Sequence, residues 1–414
     1  MTSNAADSTT LQLLQSDNGD DHDAQDGICT CICRQEVQRL EKEAIETSEE
    51  IRKLKQQLKE AHDDIARLTQ QVKDISTESS RYQKLAEERK FCFSNIEGSD
   101  KDVQFYTGLP SASIFYEVLD YVSPGRKRSN IVYHATAQQW ANDQERGSEP
   151  CQATWRNYEV NAGHPANLSQ IDELFLTLVR LRLNLKEQDL ANRFEISLSS
   201  VSRIFTTWIN FCYLRLGSLP CWPDRSTIRN TMPASFKELY PNTTVILDAT
   251  EIRVNIPSSL LLQSQTYSNY KSANTLKALV AISPAGHVIF VSSLYTGCIS
   301  DTQLVERSGF LSQLQRGDEV MADRGFTIED LLVPLGVKLN IPPFLGNRDQ
   351  MEGSEVVETQ QIASLRIHIE RAIRRVKEFD ILSGVMSASV APSANQIWTV
   401  CCLLTNFQNP LISC

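Results

Sequence analysis

From Val37 to Ala86 the seam positions, mostly apolar, recur at alternating steps of three and four, through Leu40, Ala44, Thr47, Ile51, Leu54, Leu58, Ala61, Ile65, Leu68, Val72, Ile75, Ser79 and Tyr82. No Pro or Gly interrupts this stretch, and the positions between are mostly Glu, Lys, Arg, Gln and Asp. A sustained 3.5-residue repeat predicts a left-handed coiled coil over 35–88. A single solvated helix with alternating charges is the competing reading. Ile51 and Ile65 beside Leu54 and Leu68 favour a parallel homodimer, which Ala and Thr at several core positions weaken.

A second helical pattern occupies 163–219. It predicts a long helix over 172–182, a short one over 185–194, a turn at Glu195-Ile196-Ser197 and a third helix over 199–208. The spacing of Leu190, Ala191, Phe194, Ile196, Val201, Ile204 and Phe205 suits a helix-turn-helix. Ser199, Ser200, Ser202 and Arg203 then start the recognition helix and face DNA; a helical subdomain that only packs on its neighbour is the alternative. Between the two patterns, 89–162 reads as a connector holding one apolar helix over 114–122.

Beyond a Pro-containing linker at 220–241 with one short helix over 234–239, the period changes. A β-branched run over 245–254, two further strands over 277–283 and 287–294 joined at Pro284-Ala285-Gly286, and a short strand over 318–322 predict an α/β domain over 242–414. Its helices are expected at 302–307, with Asp301 as N-cap, at 362–379 and at 400–407, while 346–358 reads as polar and mobile.

Composition changes this picture little. The chain has 414 residues, 41% hydrophobic and 22% charged, enough for two or three packed domains. No apolar run reaches the roughly 18 residues of a membrane span, so no membrane association is expected. The net charge of −10 runs against a nucleic-acid role, yet the first 26 residues hold six Asp and no Lys or Arg, so the sum hides local basic faces. Residues 1–34 read as a disordered acidic segment. Eleven scattered cysteines read as reduced thiols; Cys29, Cys31 and Cys33 are spaced too tightly for a tetrahedral zinc finger. Arg126, Lys127 and Arg128 read first as a solvated loop and second as a nuclear-import signal. No Gly-rich phosphate loop is present, so no nucleotide cofactor is expected.

Three acids carry the candidate chemistry. Asp248 lies within the first strand, Asp323 ends the run Val320-Met321-Ala322 before Arg324-Gly325, and Glu370 lies inside the helix over 362–379. Hard divalent cations take oxygen ligands, and a pair of them can stabilise both the attacking and the leaving oxygen of a phosphodiester. Arg366, Arg371, Arg374, Arg375 and Lys377 crowd around Glu370 and suit an approaching backbone, or else pair with neighbouring acids.

The words Leu247-Asp248-Ala249-Thr250-Glu251-Ile252, Tyr267-Ser268-Asn269-Tyr270-Lys271-Ser272, Gly297-Cys298-Ile299-Ser300-Asp301, Ala322-Asp323-Arg324-Gly325-Phe326, Asn340-Ile341-Pro342-Pro343-Phe344 and Arg366–Ile373 stand in order across 240–410. In these the region resembles the DDE superfamily endonucleases of Harbinger-type transposons. The resemblance implies an RNase H-like catalytic domain, Mg²⁺ or Mn²⁺ held by Asp248, Asp323 and Glu370, cleavage of DNA by two-metal catalysis, and a nuclear location. It also places Asp301 near the site as a possible metal contact, which capping explains equally well, and lets Lys271, with Tyr270 and Lys277, reach DNA. The alternative is a domesticated DNA-binding, dimerising protein that keeps the fold without cleavage.

Overall fold

The computed structural model describes residues 26–122, 125, 131, 168–345, 348 and 350–412, with the backbone alone for 26–33. The acidic stretch 1–25, the basic triplet at 126–128 and the polar 132–162 lie outside the described residues, as do the side chains of Cys29, Cys31 and Cys33. Two compact units result, Met1–Glu87 and Glu88–Cys414.

In the first unit α1 runs over Asp26–Arg89, so the helix begins well ahead of the 35 expected from the apolar repeat. The repeat marks where an apolar seam starts, whereas the helix itself needs only continued backbone bonding. Val37, Leu40, Ile51, Leu54, Leu58, Ile65 and Leu68 are all exposed along it. Local pairs such as Arg39–Glu36 at 3.0 Å and Arg67–Asp64 at 2.9 Å sit on its polar faces.

The second unit opens with aromatic packing that the polar–apolar pattern concealed. The residues expected as a connector form α2 (Asp100–Thr107), which the pattern missed, and α3 (Ala112–Val122), the apolar helix expected over 114–122, starting two residues earlier. Phe93 stacks on Phe115 at 3.7 Å between ring centroids, and Phe91 meets Phe175 at 5.3 Å and Phe194 at 5.1 Å. Phe175 belongs to α4 (Gln170–Leu183), so this segment shares one core with the helices that follow. Period-reading misses such a cluster because its aromatics come from loops and short helices rather than one continuous face.

Next come α5 (Glu187–Arg193) and α6 (Leu198–Gly217). Glu195 takes a left-handed conformation at φ 54° and turns the chain between them. Ser197, its hydroxyl accepting from the Ser200 N–H at 3.1 Å, caps α6. The third helix is about twice as long as expected because its buried face continues through Ile209, Phe211, Cys212 and Leu216, which pack towards α14 (Ala394–Leu404). The linker also holds a helix the pattern missed, α7 (Arg225–Thr231), ahead of α8 (Ala234–Leu239). Arg225 ties α7 to the buried Asp318 at 2.8 Å.

The sheet is mixed. β1 (Thr243–Arg253) pairs antiparallel with β3 (Ala273–Ile282), whose outer edge holds β4 (Val288–Val291), β5 (Tyr295–Thr296) and the short β2 (Tyr267–Ser268). On its other side β1 pairs in parallel with β6 (Glu319–Met321), and β6 with β7 (Lys338–Asn340). Antiparallel strands first, then parallel strands reached through a helix, make the RNase H-like order. Gly286, at φ 91°, turns β3 into β4, as Pro284-Ala285-Gly286 predicts.

Alternation along the strands divides the core. Ile246, Ile252, Val280, Ile282 and Met321 face one cluster with α12 (Gly353–Lys377) and α14. Val245, Leu247, Leu279, Ala281, Val320 and Ala322 face the other, with Leu304 and Val305 of α10 (Asp301–Arg307) and Leu332 of α11 (Glu329–Leu332). α9 (Leu260–Thr266) stands between β1 and β2, and α13 (Asp380–Ser383) follows α12. Residues 353–358, expected to belong to a mobile segment, form the first turns of α12, held by a capping box between Glu352 and Glu355. Among the described residues no helix is long and apolar enough to cross a membrane.

Because Phe175 is fully buried among Phe91, Phe93 and Phe194, Phe175→Ala is expected to cost about 3–5 kcal/mol in denaturant unfolding. A loss below about 1 kcal/mol would show that the aromatic cluster is not a shared core.

Candidate active site

Parallel pairing of β1 with β6 builds the centre. The offset that sets Val245 beside Val320 and Ile246 beside Met321 carries Asp248 to Asp323, just past the end of β6. Strand parity turns both towards the face covered by α12, with Ile246 and Met321. On that helix Arg366 and Glu370 are one turn apart and share a face. The three acids expected from the sequence therefore converge from two strands and a helix.

Their environments differ. Asp248 is half-buried, and its Oδ1 accepts from the Ala249 N–H at 2.9 Å. Burial pushes its carboxyl up to about 6; Arg366 and the Ala249 N–H oppose the rise, and Asp323 and Glu370 add to it. Asp323 is exposed, accepting from the Arg366 guanidinium at 3.0 Å and from the Arg324 N–H at 2.8 Å. Glu370 is exposed on α12. Arg366 itself is buried, with its Nε unpartnered. It stands as counter-ion to the acids rather than on the open basic surface the sequence suggested.

Other expected residues fall elsewhere. Asp301 lies 2.9 Å from Lys277 Nζ, an ion pair rather than a directed hydrogen bond, and is not among the groups acting on Asp248. Nor does it cap α10, since Ser300 does, accepting from the Gln303 N–H at 3.2 Å. Arg375 donates to the Asn409 carbonyl at 2.6 Å and ties α12 to the end of the chain. Arg371 and Arg374 remain exposed. Lys377 donates to the Glu251 carbonyl at 3.2 Å, and its ammonium is lowered by burial first and then by Lys271. Lys271 lies 4.3 Å above the Tyr270 ring. At the start of α6, Ser199 and Arg203 are exposed and Ser200 and Ser202 partly so.

Two participants escaped the sequence reading. Arg253 is exposed beside the Lys377 ammonium, and Glu251, which accepts from Thr275 Oγ1 at 2.8 Å, sits three residues after Asp248. Both lie within β1, where alternation alone does not separate a charged strand end from a site residue.

Residues 247–406 match the family described as DDE superfamily endonuclease, and 166–218 match the helix-turn-helix of DDE superfamily endonuclease. The chain therefore carries a domain of the DDE superfamily endonucleases, preceded by the helix-turn-helix of that family. No curated protein matches it. The endonuclease domain so assigned contains all three acids, and the helix-turn-helix match spans α4, α5 and α6.

Three carboxylates, one of them with a raised affinity for protons, form the donor set that a hard divalent cation prefers. Among the described residues no three of His, Cys, Asp or Glu stand close enough to share one ion. The oxygen donors are of the kind such a cation takes, but they are not gathered into a three-ligand set in this arrangement, where Arg366 rather than a cation pairs with Asp323.

The raised Asp248 carboxyl has a stability consequence. Its ordinary value is 3.8, so the folded chain binds this proton more tightly than the unfolded chain. The resulting stabilisation is fully present below about pH 4 and lost as pH rises through about 6. In chelator, Asp248→Asn is therefore expected to be more stable than wild type near neutral pH, by on the order of 2–3 kcal/mol, with the gap closing towards pH 4. Melting curves of the pair that stay parallel across this range would show that Asp248 is not held unfavourably ionised.

Proposed function

We propose that this chain is a divalent-metal-dependent DNA endonuclease of DDE type, cleaving phosphodiester bonds and, in a mobile element, transferring the cut strand. The observation that carries this reading is the convergence of Asp248, Asp323 and Glu370 on one face of the sheet inside the matched endonuclease region. These three residues would hold Mg²⁺ or Mn²⁺. When bound, a pair of such ions activates the attacking oxygen and stabilises the leaving one. The chain's own contribution is to orient the carboxylates: the Ala249 N–H fixes Asp248, and the Arg324 N–H fixes Asp323. Arg366 neutralises them until substrate and cation arrive. Arg371, Arg374 and Lys377 border the site and suit the phosphate backbone.

In the same reading, α6 presents Ser199, Ser200, Ser202 and Arg203 to DNA from the accessible side of its first two turns. The apolar seam of α1 joins two copies in a parallel coiled coil, and the protein acts in the nucleus. The domesticated alternative, DNA binding without cleavage, draws support from the Arg366–Asp323 contact, which would persist in a site that never loads metal.

Nicking of supercoiled plasmid in Mg²⁺ or Mn²⁺ separates the two. Wild type is expected to nick, and Asp323→Ala to lose at least about a hundredfold in rate. Equal silence of both, with DNA binding intact, would leave the domesticated reading. Arg203→Ala is expected to weaken DNA binding and lower its salt slope by about one; an unchanged slope would remove Arg203 from the interface. Sedimentation is expected to give a dimer that Leu54→Ser combined with Ile65→Ser converts to monomer. A monomeric wild type would count against the coiled coil.

A further inference from the structure

The chain between β1 and β3 combines a firmly built interior with an apolar outer surface. Inside, the Asn274 carboxamide donates to the Gln263 carbonyl at 2.9 Å and to Thr266 Oγ1 at 2.7 Å. Gln263 donates to the Pro257 carbonyl at 2.7 Å, and the Cys298 N–H reaches the Gln265 carbonyl at 3.3 Å. Thr266, Ser268, Asn274 and Thr275 are all buried. Gly297 admits the close approach: a Cβ there would lie 2.7 Å from the Thr266 carbonyl oxygen and 2.9 Å from that of Thr275.

Outside, Leu260 is 80% exposed and Tyr270 82%, with Ile256, Leu261 and Tyr267 also open to solvent. A segment whose polar groups are satisfied needs no partner to fold. Large apolar side chains held in water by such a scaffold mark an interaction surface.

Charge identifies the occupant. Lys271 lies over the Tyr270 ring, and the Lys377 ammonium feels both Lys271 and Arg253 as well as Asp248. The arm is thus continuous with a cationic cluster that leads to the candidate acids. An exposed aromatic flanked by cations is a stacking platform for unpaired bases, and leucines are among the wedges that part base steps.

We propose that the segment from Ile256 to Lys271 is a DNA-opening arm, in which Tyr270 stacks on a base displaced from the duplex beside the cleaved strand and Leu260 and Leu261 hold the step apart. This rests on the reading of the acid site as a DNA endonuclease. It adds a preference for distorted DNA that the helix-turn-helix does not supply.

The test uses the full chain carrying Asp323→Asn, so that binding is read without cleavage. Fluorescence anisotropy compares a plain duplex with the same duplex bearing a short unpaired bulge, and 2-aminopurine in the bulge reports stacking. The parent is expected to prefer the bulged duplex and to quench the 2-aminopurine. Adding Tyr270→Ala is expected to lower bulge affinity about five- to a hundredfold while leaving the plain duplex nearly unchanged. Leu260→Ser with Leu261→Ser is expected to reduce the preference in the same direction.

Because these side chains are solvent-exposed, melting temperatures should hold and loss of fold does not cloud the result. Equal binding of both duplexes by parent and variants overturns the proposal. So does a fall in assembly mass caused by the leucine substitutions, which would assign the surface to a second copy. Wild-type plasmid nicking is scored separately. Bulge preference without nicking would keep the arm and remove the nuclease, whereas nicking without bulge preference would do the reverse.

Discussion

Everything in the endonuclease-family domain depends on the parallel seam between β1 and β6. Neither acid is informative about the other in the linear chain. Once Ile246 lies beside Met321, Asp248 and Asp323 must approach each other, because both stand at the same parity two residues further along. A slip of one residue would send one of them into the Leu304–Phe310 core, where an ionised carboxylate has no partner. Apolar residues on both faces of β1 and β6 therefore fix the chemistry indirectly, by making every other register costly. The antiparallel partner β3 holds β1 from the other side along most of its length.

Gathering carboxylates in this way is electrostatically unfavourable, and the fold offsets it from α12. Arg366 brings a buried guanidinium to Asp323, and its field lowers Asp248 against the effect of burial. The same helix contributes Glu370, so neutralising charge and third acid arrive on one rigid element. Lys377 at the end of α12 extends the positive field to the carbonyl of Glu251 in β1. The balance still leaves Asp248 hard to ionise. That is the condition under which an added cation would gain most from binding there.

Much of this was legible in the sequence, for identifiable reasons. β1, β3 and the Gly286 turn announce themselves through alternation and turn chemistry, and the three acids through the flanking words that accompany them. The helix-turn-helix was legible because its apolar spacing is local. What escaped depends on distant contacts. The Phe91, Phe93 and Phe115 cluster gains meaning only when Phe175 and Phe194 arrive from another helix. The inward position of Arg366, and the diversion of Arg375 to Asn409 and of Asp301 to Lys277, follow from side-chain partners that no periodicity encodes. A basic helix reads as one surface in sequence, but in the fold its cations divide among three tasks: neutralising acids, tying down the chain end and facing solvent.

The recognition helix is built into the endonuclease rather than tethered to it. Its first two turns carry the exposed Ser199 and Arg203, while its far half is buried with α14. The first helix of the motif is bonded to the helix that carries Glu370 as well: Arg182 donates to the carbonyl of Glu378, just past α12, at 2.8 Å and lies 5.9 Å from the centre of the buried Phe379 ring. A module on a flexible linker could bind DNA at one place and leave the cut position to diffusion. Here the elements that would read DNA and the helix that carries Glu370 share one packed core. On the proposed activity, the separation between a bound sequence and the attacked phosphodiester would be a property of the fold. A substitution in that core would shift where the strand is presented even while both surfaces kept their own residues.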